Sequence, residues 1–281
     1  MVAPGAGTTV CGSLSLHPVS LGAAMHRAGY AALGLDFLYL PFGVTDVQGA
    51  ITGMRALGIR GLGISMPYKL AVMPWLDGVE PAAAAIGAVN TVVNDAGRLT
   101  GHNTDAWGAV RALEERLGGL RGTRVLLLGA GGAARAVAHG VKAAGAVLSI
   151  SNRDLGKARA VAAATGAETV AWDSMPAAIA AQAVVVNATS MGMADVDTDS
   201  PIPVGALRAD LCVMDIVYKP VRTHLVEAAA ERGATVIDGT RMLLFQAMRQ
   251  FELYTGREAP RTAMERALLE QLGAPLGQSR T

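Results

Sequence analysis

The stretch "RVLLLGAGGAARAVAHG", residues 124–140, constrains the fold more than any other. An unbroken apolar run enters a glycine turn and leaves as an alanine-rich segment with helical spacing. A strand that is apolar on both faces must be covered on both faces, which is the situation inside a parallel sheet. The pattern then repeats. The runs "AVLSIS" (146–151), "ETVAW" (168–172), "AVVVNAT" (183–189), "CVMDIVY" (212–218) and "ATVIDG" (234–239) follow. Alanine-rich helical stretches lie between most of them, most clearly at 132–144, 155–165 and 222–232. This alternation predicts an α/β domain with a parallel sheet between two helical layers.

The first third is also α/β but less regular. Its strand candidates are "TTVCGSLSL" (8–16), "DFLYLPF" (36–42) and "RGLGIS" (60–65), with amphipathic segments between them. "NTVVNDAGRLTGHNT" (90–104) is two short runs around "NDAG", a hairpin signal. After 240 the chain reads as helix, in "MLLFQAMRQFELYTG" and "TAMERALLEQLG". These helices have no sheet of their own, so they are expected to complete the first domain. The predicted division is 1–105 with 240–281, and 106–239.

Composition excludes several classes. The chain is 51% hydrophobic and 17% charged, which argues against disorder. A net charge of +1 and 4% aromatics give no basic field and no stacking platform for nucleic acid. Charged, glycine or proline residues interrupt every apolar stretch before a membrane span is reached. The N-terminus "MVAPGAGTTV" lacks the basic segment and apolar block of a signal peptide. Cys11 and Cys212 read as buried thiols. His17, His26, His102, His139 and His224 form no ligand spacing, so no metal site is expected. A cytoplasmic protein, monomer or homodimer, acting on a small molecule is the expectation.

The glycine turn carries a G-x-G-x-x-A pattern at Gly129, Gly131 and Ala134, between a strand and a helix. Such a turn brings backbone amides and a helix N-terminus to a pyrophosphate. Gly129, Gly131, Gly132 and Ala133 are the candidate cofactor residues there; a purely structural turn is the alternative. The next strand ends "SISNRDLGKA". Its tip has Ser151 and Asn152 in place of an acid. Arg153 and Lys157 suit a 2′-phosphate, whereas Asp154 repels one or accepts ribose hydroxyls, and Asn152, Arg153, Asp154 and Lys157 are the candidate cofactor residues. NADP is favoured and NAD stays possible.

Two polar positions stand out in the first domain. In "GISMPYKLAV" (63–72), Pro67 ends a strand and Lys69 follows in a loop or helix start. In "GHNTDAWG" (101–108), Asp105 ends the hairpin. An ammonium beside a carboxylate in a cleft could move a proton during hydride transfer. A surface lysine and a helix-capping aspartate are the plain alternatives.

Taken together these motifs resemble the shikimate dehydrogenase family over nearly the whole chain. The matching segments are "GISMPYK", "GAVNT" (87–91), "GHNTD", "GAGGAAR" (129–135), "SNRD" (151–154), "NATSMGM" (187–193), "DIVYKP" (215–220) and "DGTRMLLFQ" (238–246). The resemblance implies a catalytic domain completed by C-terminal helices, a Rossmann-like cofactor domain, and NADPH-dependent reduction of 3-dehydroshikimate. It implies a catalytic Lys69–Asp105 pair. It places Ser20, Ser65, Asn90, Tyr218 and Gln246 at the substrate, and Thr189, Met191, Gly239 and Met242 at the cofactor.

The chain also departs from the family. Where the family carries "HSxSP", this chain has "LHPVSLG" (16–22), with Pro18 for the first serine and Leu21 for the proline. Gly63 and Ser65 replace the asparagine and threonine of "NVTxPxK". These features resemble the divergent shikimate-dehydrogenase-like branch, with a changed substrate pocket. An NAD-preferring quinate/shikimate dehydrogenase and a nucleotide-dependent sensor on the same scaffold are the competing readings.

Overall fold

A computed structural model describes residues 4–194 and 196–273. The chain divides into two compact units, Met1–Thr104 with Gln246–Thr281, and Asp105–Phe245. Each is an α/β structure around its own six-stranded sheet.

The first sheet contains β1 (Thr9–Ser15), β2 (Phe37–Gly43), β3 (Gly61–Ile64), β4 (Gly78–Val79), β5 (Thr91–Asp95) and β6 (Arg98–His102). Their order is β2-β1-β3-β5-β6-β4. β2, β1 and β3 are parallel; β5 is antiparallel to both β3 and β6. The expected hairpin is β5–β6, with Asp95 paired to Arg98. Its two turn residues, Ala96 and Gly97, have φ of 50° and 92°, the left-handed pair that matches strand twist. Asn94 Oδ1 accepts the Gly97 N–H at 2.8 Å and holds the turn. One core face gathers Leu14, Ile51, Met54, Leu62, Ile64 and Val92.

The other face lies under helices. Leu21–Ala32 packs on the terminal helix Arg261–Leu272. Gly239–Thr255 sends Phe251 and Tyr254 into an aromatic cluster with His26, Tyr30 and Tyr39. His26 is fully buried, its ring stacked on Tyr39 at 4.3 Å and 4°. Burial pushes this imidazole down to about 3, while Gln250 beside it pulls the other way.

The second sheet contains β7 (Arg124–Leu128), β8 (Val147–Ser151), β9 (Glu168–Val170), β10 (Val184–Asn187), β11 (Cys212–Asp215) and β12 (Thr235–Ile237). Its order is β12-β11-β10-β7-β8-β9, and every pairing is parallel. The chain leaves β7 toward β8 and β9, then returns to β10 on β7's other side. That reversal makes the β7/β10 edge the switch point of a doubly wound, Rossmann-like sheet. β7 and β10 are buried at every apolar position, as their sequence requires.

The expected strands run long in two places. "CVMDIVY" stops at Asp215, because the Asp215 carboxylate accepts the Val217 N–H at 3.0 Å and turns the chain. "ETVAW" stops at Val170, where a 3-10 turn begins at Trp172. The strand Gly78–Val79 and the helix Pro81–Ile86 are too short to show a period in the sequence. The second division between the units falls at 245/246, six residues beyond the sequence expectation, inside the continuous helix Gly239–Thr255. The physical reason is which side chains face where. Arg241 pairs with Glu115 at 2.7 Å and Phe245 meets Trp107 edge-on, both partners lying in the second unit. Gln250 and Tyr254 belong to the first. No helix among the described residues is long and apolar enough to cross a membrane.

Candidate functional site

In the first unit, sheet register brings three of the expected substrate residues, Ser20, Ser65 and Asn90, to one end of the sheet. β3 runs parallel to β1 with Ile64 beside Leu14, so the loops 16–20 and 65–69 leave the same edge. β5 starts at that edge: the Ile64 N–H donates to Asn90 O at 2.6 Å. β6 ends there, with His102 beside Thr91 and Thr104 two residues on.

Ser20 sits at the cap position of Leu21–Ala32, but its hydroxyl does not cap the helix, and it is exposed. Ser65 is exposed and accepts the Tyr68 N–H at 2.9 Å through its carbonyl. Lys69 is half-buried in the turn after β3, anchored where its carbonyl accepts the Val89 N–H at 2.9 Å. Tyr68, one residue earlier, donates its hydroxyl to Val44 O at 2.5 Å, which pins the same turn.

Asn90 is 3% exposed. Its Oδ1 accepts from Thr104 N at 2.7 Å, and its Nδ2 donates to Thr104 Oγ1 at 2.9 Å. Thr104 Oγ1 in turn lies 3.4 Å from Gln246 Oε1. The fold therefore gathers Asn90 and Gln246 around Thr104, which the sequence reading did not single out. Asp105 is 8% exposed and lies inside the first turn of the helix Thr104–Leu117 rather than at its cap. A carboxylate there is favoured by the helix N-terminus.

In the second unit, Leu128 is level with Ser151 and Asn187, and Asn187 with Asp215. The loops carrying Gly129, Asn152, Thr189 and Tyr218 thus leave one edge in a row. A buried network shapes two of them. Asn187 Nδ2 donates to Asp215 Oδ1 at 2.9 Å and to Met191 O at 3.1 Å. Its Oδ1 accepts from Thr189 N at 3.0 Å and Thr189 Oγ1 at 2.7 Å. Asp215 Oδ2 accepts from Thr223 at 2.7 Å. Burial pushes the Asp215 carboxyl up to about 6, against the pull of these hydrogen bonds. Asn187, Asp215 and Thr223 were missed as site-shaping residues. "NATS" and "DIVY" contained the first two, but nothing in the sequence links two motifs 28 residues apart.

The glycines of the turn divide by role. Gly129 has φ of 113°, and a Cβ there would lie 2.6 Å from Ala188 O, so the fold itself demands glycine. Gly131 and Gly132 have no such constraint: a Cβ at either meets nothing within 4 Å. Gly131 stands at the N-terminus of Gly132–Ala143 with no side-chain cap. Open space before uncapped amides fits a dinucleotide pyrophosphate. Ala133 is half-buried in that first turn. The expected results differ accordingly. Gly129→Ala lowers stability by about 1–3 kcal/mol from backbone strain, with the clash in addition. Gly131→Ala leaves the melting temperature within a few degrees and weakens dinucleotide binding. Thermal melts and dinucleotide titrations of the two variants check this; equal melting losses would refute the division of roles.

At the tip of β8, Asp154 is occupied. It caps Leu155–Thr165 by accepting the Lys157 N–H at 3.1 Å, and Lys157 Nζ lies 3.7 Å away. These contacts, the Lys157 amide first, hold the carboxyl below its usual range. Asn152 Nδ2 donates to Asp154 O at 2.9 Å. Arg153 and Lys157 are exposed.

Tyr218 is half-buried beyond β11, and Met242 is 7% exposed in the first turns of Gly239–Thr255. Gly239 has a packing reason of its own: a Cβ there would lie 2.3 Å from Val217 O. Among the described residues no group of acidic, histidine or cysteine side chains could hold a metal ion.

A doubly wound parallel sheet with a glycine turn at its switch point, joined to a mixed-sheet unit, defines a two-unit α/β protein of dinucleotide-binding type. Comparison with known proteins takes this further. The shikimate dehydrogenase substrate binding domain matches residues 17–92, the shikimate/quinate 5-dehydrogenase family 111–216, and the shikimate 5′-dehydrogenase C-terminal domain 239–269. The shikimate dehydrogenase (NADP(+)) of Moorella thermoacetica is 43% identical over 274 residues, covering 93% of each chain. A shikimate dehydrogenase crystallised with NADP+ superposes with a TM-score of 0.91 at 33% identity, covering 96% of this chain and 98% of its own. The Thermus thermophilus enzyme with NADP(H) and shikimate gives 0.86 at 35% identity, covering 94% and 100%. The chain belongs to the shikimate dehydrogenase family.

Proposed function

We propose that this protein is an NADP-dependent oxidoreductase that interconverts 3-dehydroshikimate and shikimate, or a close analogue with the same carboxylate and hydroxyl pattern. The observation that carries this reading is the 43% identity with an NADP-dependent shikimate dehydrogenase over 93% of the chain. Lys69, Asp105, Asn90 and Gln246 all stand in the matching motifs.

The unit 105–245 is the cofactor domain and the remaining residues form the substrate domain. The amides at Gly131 and Gly132 receive the pyrophosphate, and Thr189 and Met191 line the path to the nicotinamide. Arg153 and Lys157 meet the 2′-phosphate. Asp154 Oδ1 accepts the Lys157 N–H as a helix cap, and the two cations beside it favour NADP over NAD. The bound reduced nicotinamide supplies the hydride. Lys69 orients the ketone oxygen and donates its proton. Asp105 keeps the ammonium charged and aimed. Asn90, Ser65, Ser20, Tyr218 and Gln246 hold the hydroxyls and carboxylate. Gly239 and Met242 flank the nicotinamide.

Steady-state oxidation of shikimate, quinate and amino-substituted analogues with both cofactors tests this, following absorbance of the reduced nicotinamide. The expected result is highest kcat/KM with shikimate and NADP+. Turnover confined to quinate with NAD+ would replace the reading.

A further inference from the structure

We propose that Asp215 is a positioning residue for hydride transfer, its carboxylate clamping together the loops that carry Thr189, Met191 and Tyr218. This rests on the functional reading above, which puts Thr189, Met191, Gly239 and Met242 at the nicotinamide and Tyr218 at the substrate. Asp215 is 0% exposed and acts through its neighbours.

Backbone groups fix the geometry of the clamp, because they cannot exchange roles. The Thr189 N–H only donates, so the Asn187 atom that meets it at 3.0 Å is Oδ1. The Met191 carbonyl only accepts, so the Asn187 atom that meets it at 3.1 Å is Nδ2. The second hydrogen of Nδ2 goes to Asp215 Oδ1 at 2.9 Å. The same oxygen accepts the Val217 N–H at 3.0 Å, one residue before Tyr218. A single oxygen therefore ties the 189–191 loop to the 217–218 loop. The other oxygen accepts from Thr223 at 2.7 Å, and Thr223 Oγ1 accepts the Val226 N–H at 3.2 Å as the cap of the helix His224–Glu231.

A third segment is held by contact. A Cβ at Gly239 would lie 2.6 Å from Ile216 O. The peptide joining Ile216 to Val217 thus supplies both the N–H that Asp215 holds and the oxygen against which Gly239 sits. On the other side of Gly239, Asp238 Oδ1 accepts the Thr240 N–H at 2.9 Å. The tips of β10, β11 and β12 meet at one carboxylate. Burial pushes that carboxyl up to about 6, so its charge does not favour the fold at neutral pH. What it supplies is the placement of acceptors.

The test compares Asp215→Leu, which removes the acceptors, with Asp215→Asn, whose amide oxygen can still accept from both Asn187 and Val217. Single-turnover hydride transfer from saturating NADPH to 3-dehydroshikimate should slow by about ten- to a hundredfold in Asp215→Leu, the effect of a small misplacement of reacting groups. The conservative Asp215→Asn should recover most of that loss. Affinity for adenosine 2′,5′-bisphosphate, the end of the cofactor without nicotinamide, should be unchanged in both. A merely structural role predicts a lowered melting temperature with an unchanged transfer rate, or parallel loss of transfer and bisphosphate binding. Either result overturns the proposal, as does an asparagine variant as slow as the leucine one. If Asp215→Leu does not fold, Asn187→Ala, which cuts the arm to Met191, takes its place in the same measurements. If the wild-type protein does not reduce 3-dehydroshikimate, the functional reading fails instead. The clamp is then judged by the backbone amide resonances of Thr189, Met191 and Tyr218. They must shift in the variant while those of Arg153 and Lys157 stay; any other pattern overturns it.

Discussion

Lys69→Ala is expected to lower kcat for shikimate oxidation by about 10²–10⁴-fold, the usual contribution of a positioned general acid or base. The side chain is half-buried, and the turn that carries it is held by backbone and Tyr68 bonds that truncation leaves in place. The fold should therefore survive, with an unchanged far-UV spectrum and a melting temperature within a few degrees. KM for NADP+ should change little, because Lys69 lies in the first unit and the glycine turn in the second. Asp105→Asn removes the negative charge from the first turn of Thr104–Leu117 and is expected to reduce kcat with a smaller effect on KM. Turnover within threefold of wild type in Lys69→Ala, at normal stability, would remove Lys69 from the mechanism.

Acidification is expected to destabilise the first unit through His26. Its imidazole is packed against Tyr30, Tyr39, Phe251 and Tyr254 and is pushed by burial to about 3 from an ordinary 6.5. The unfolded chain therefore binds this proton more readily than the folded one. Stability present above about pH 6.5 is lost as pH falls toward about 3. The difference in unfolding free energy between His26→Phe and wild type should be constant above neutrality. It should then grow in favour of the variant, by on the order of 3 kcal/mol at about pH 4.5. Taking the difference also removes Asp215, whose sign is opposite. Its folded carboxyl is raised from 3.8 to about 6, so the fold gains stability from this group as pH falls from about 6 to about 4. Denaturant titrations at stepped pH measure both. A pH-independent difference between the two proteins would show that His26 does not titrate as a buried neutral base.

The doubly wound unit was the easier half to read. Its strands are apolar on both faces and its helices alanine-rich, so period and length agree at every step. Ends were less legible. Where Asp215 turns the chain, an apolar run continues to Val217 and hides the stop. The candidate site was legible as a set of motifs, each short and local. What was missed, Thr104, Asn187 and Asp215, acts through partners far away in sequence: Asn187 reaches Asp215 across 28 residues.

The sequence alone determined the alternation of strand and helix, the glycine turn, the motif set and hence the family, because these depend on residue type and short spacing. Tertiary structure alone decided what the ambiguous residues do. Asp154 became a helix cap, and Gly129 and Gly131 separated into a fold requirement and an open cradle. Those assignments depend on which atoms lie within about 3 Å of one another, and hydrogen bonds and steric contacts at that range are set by packing, not by order along the chain.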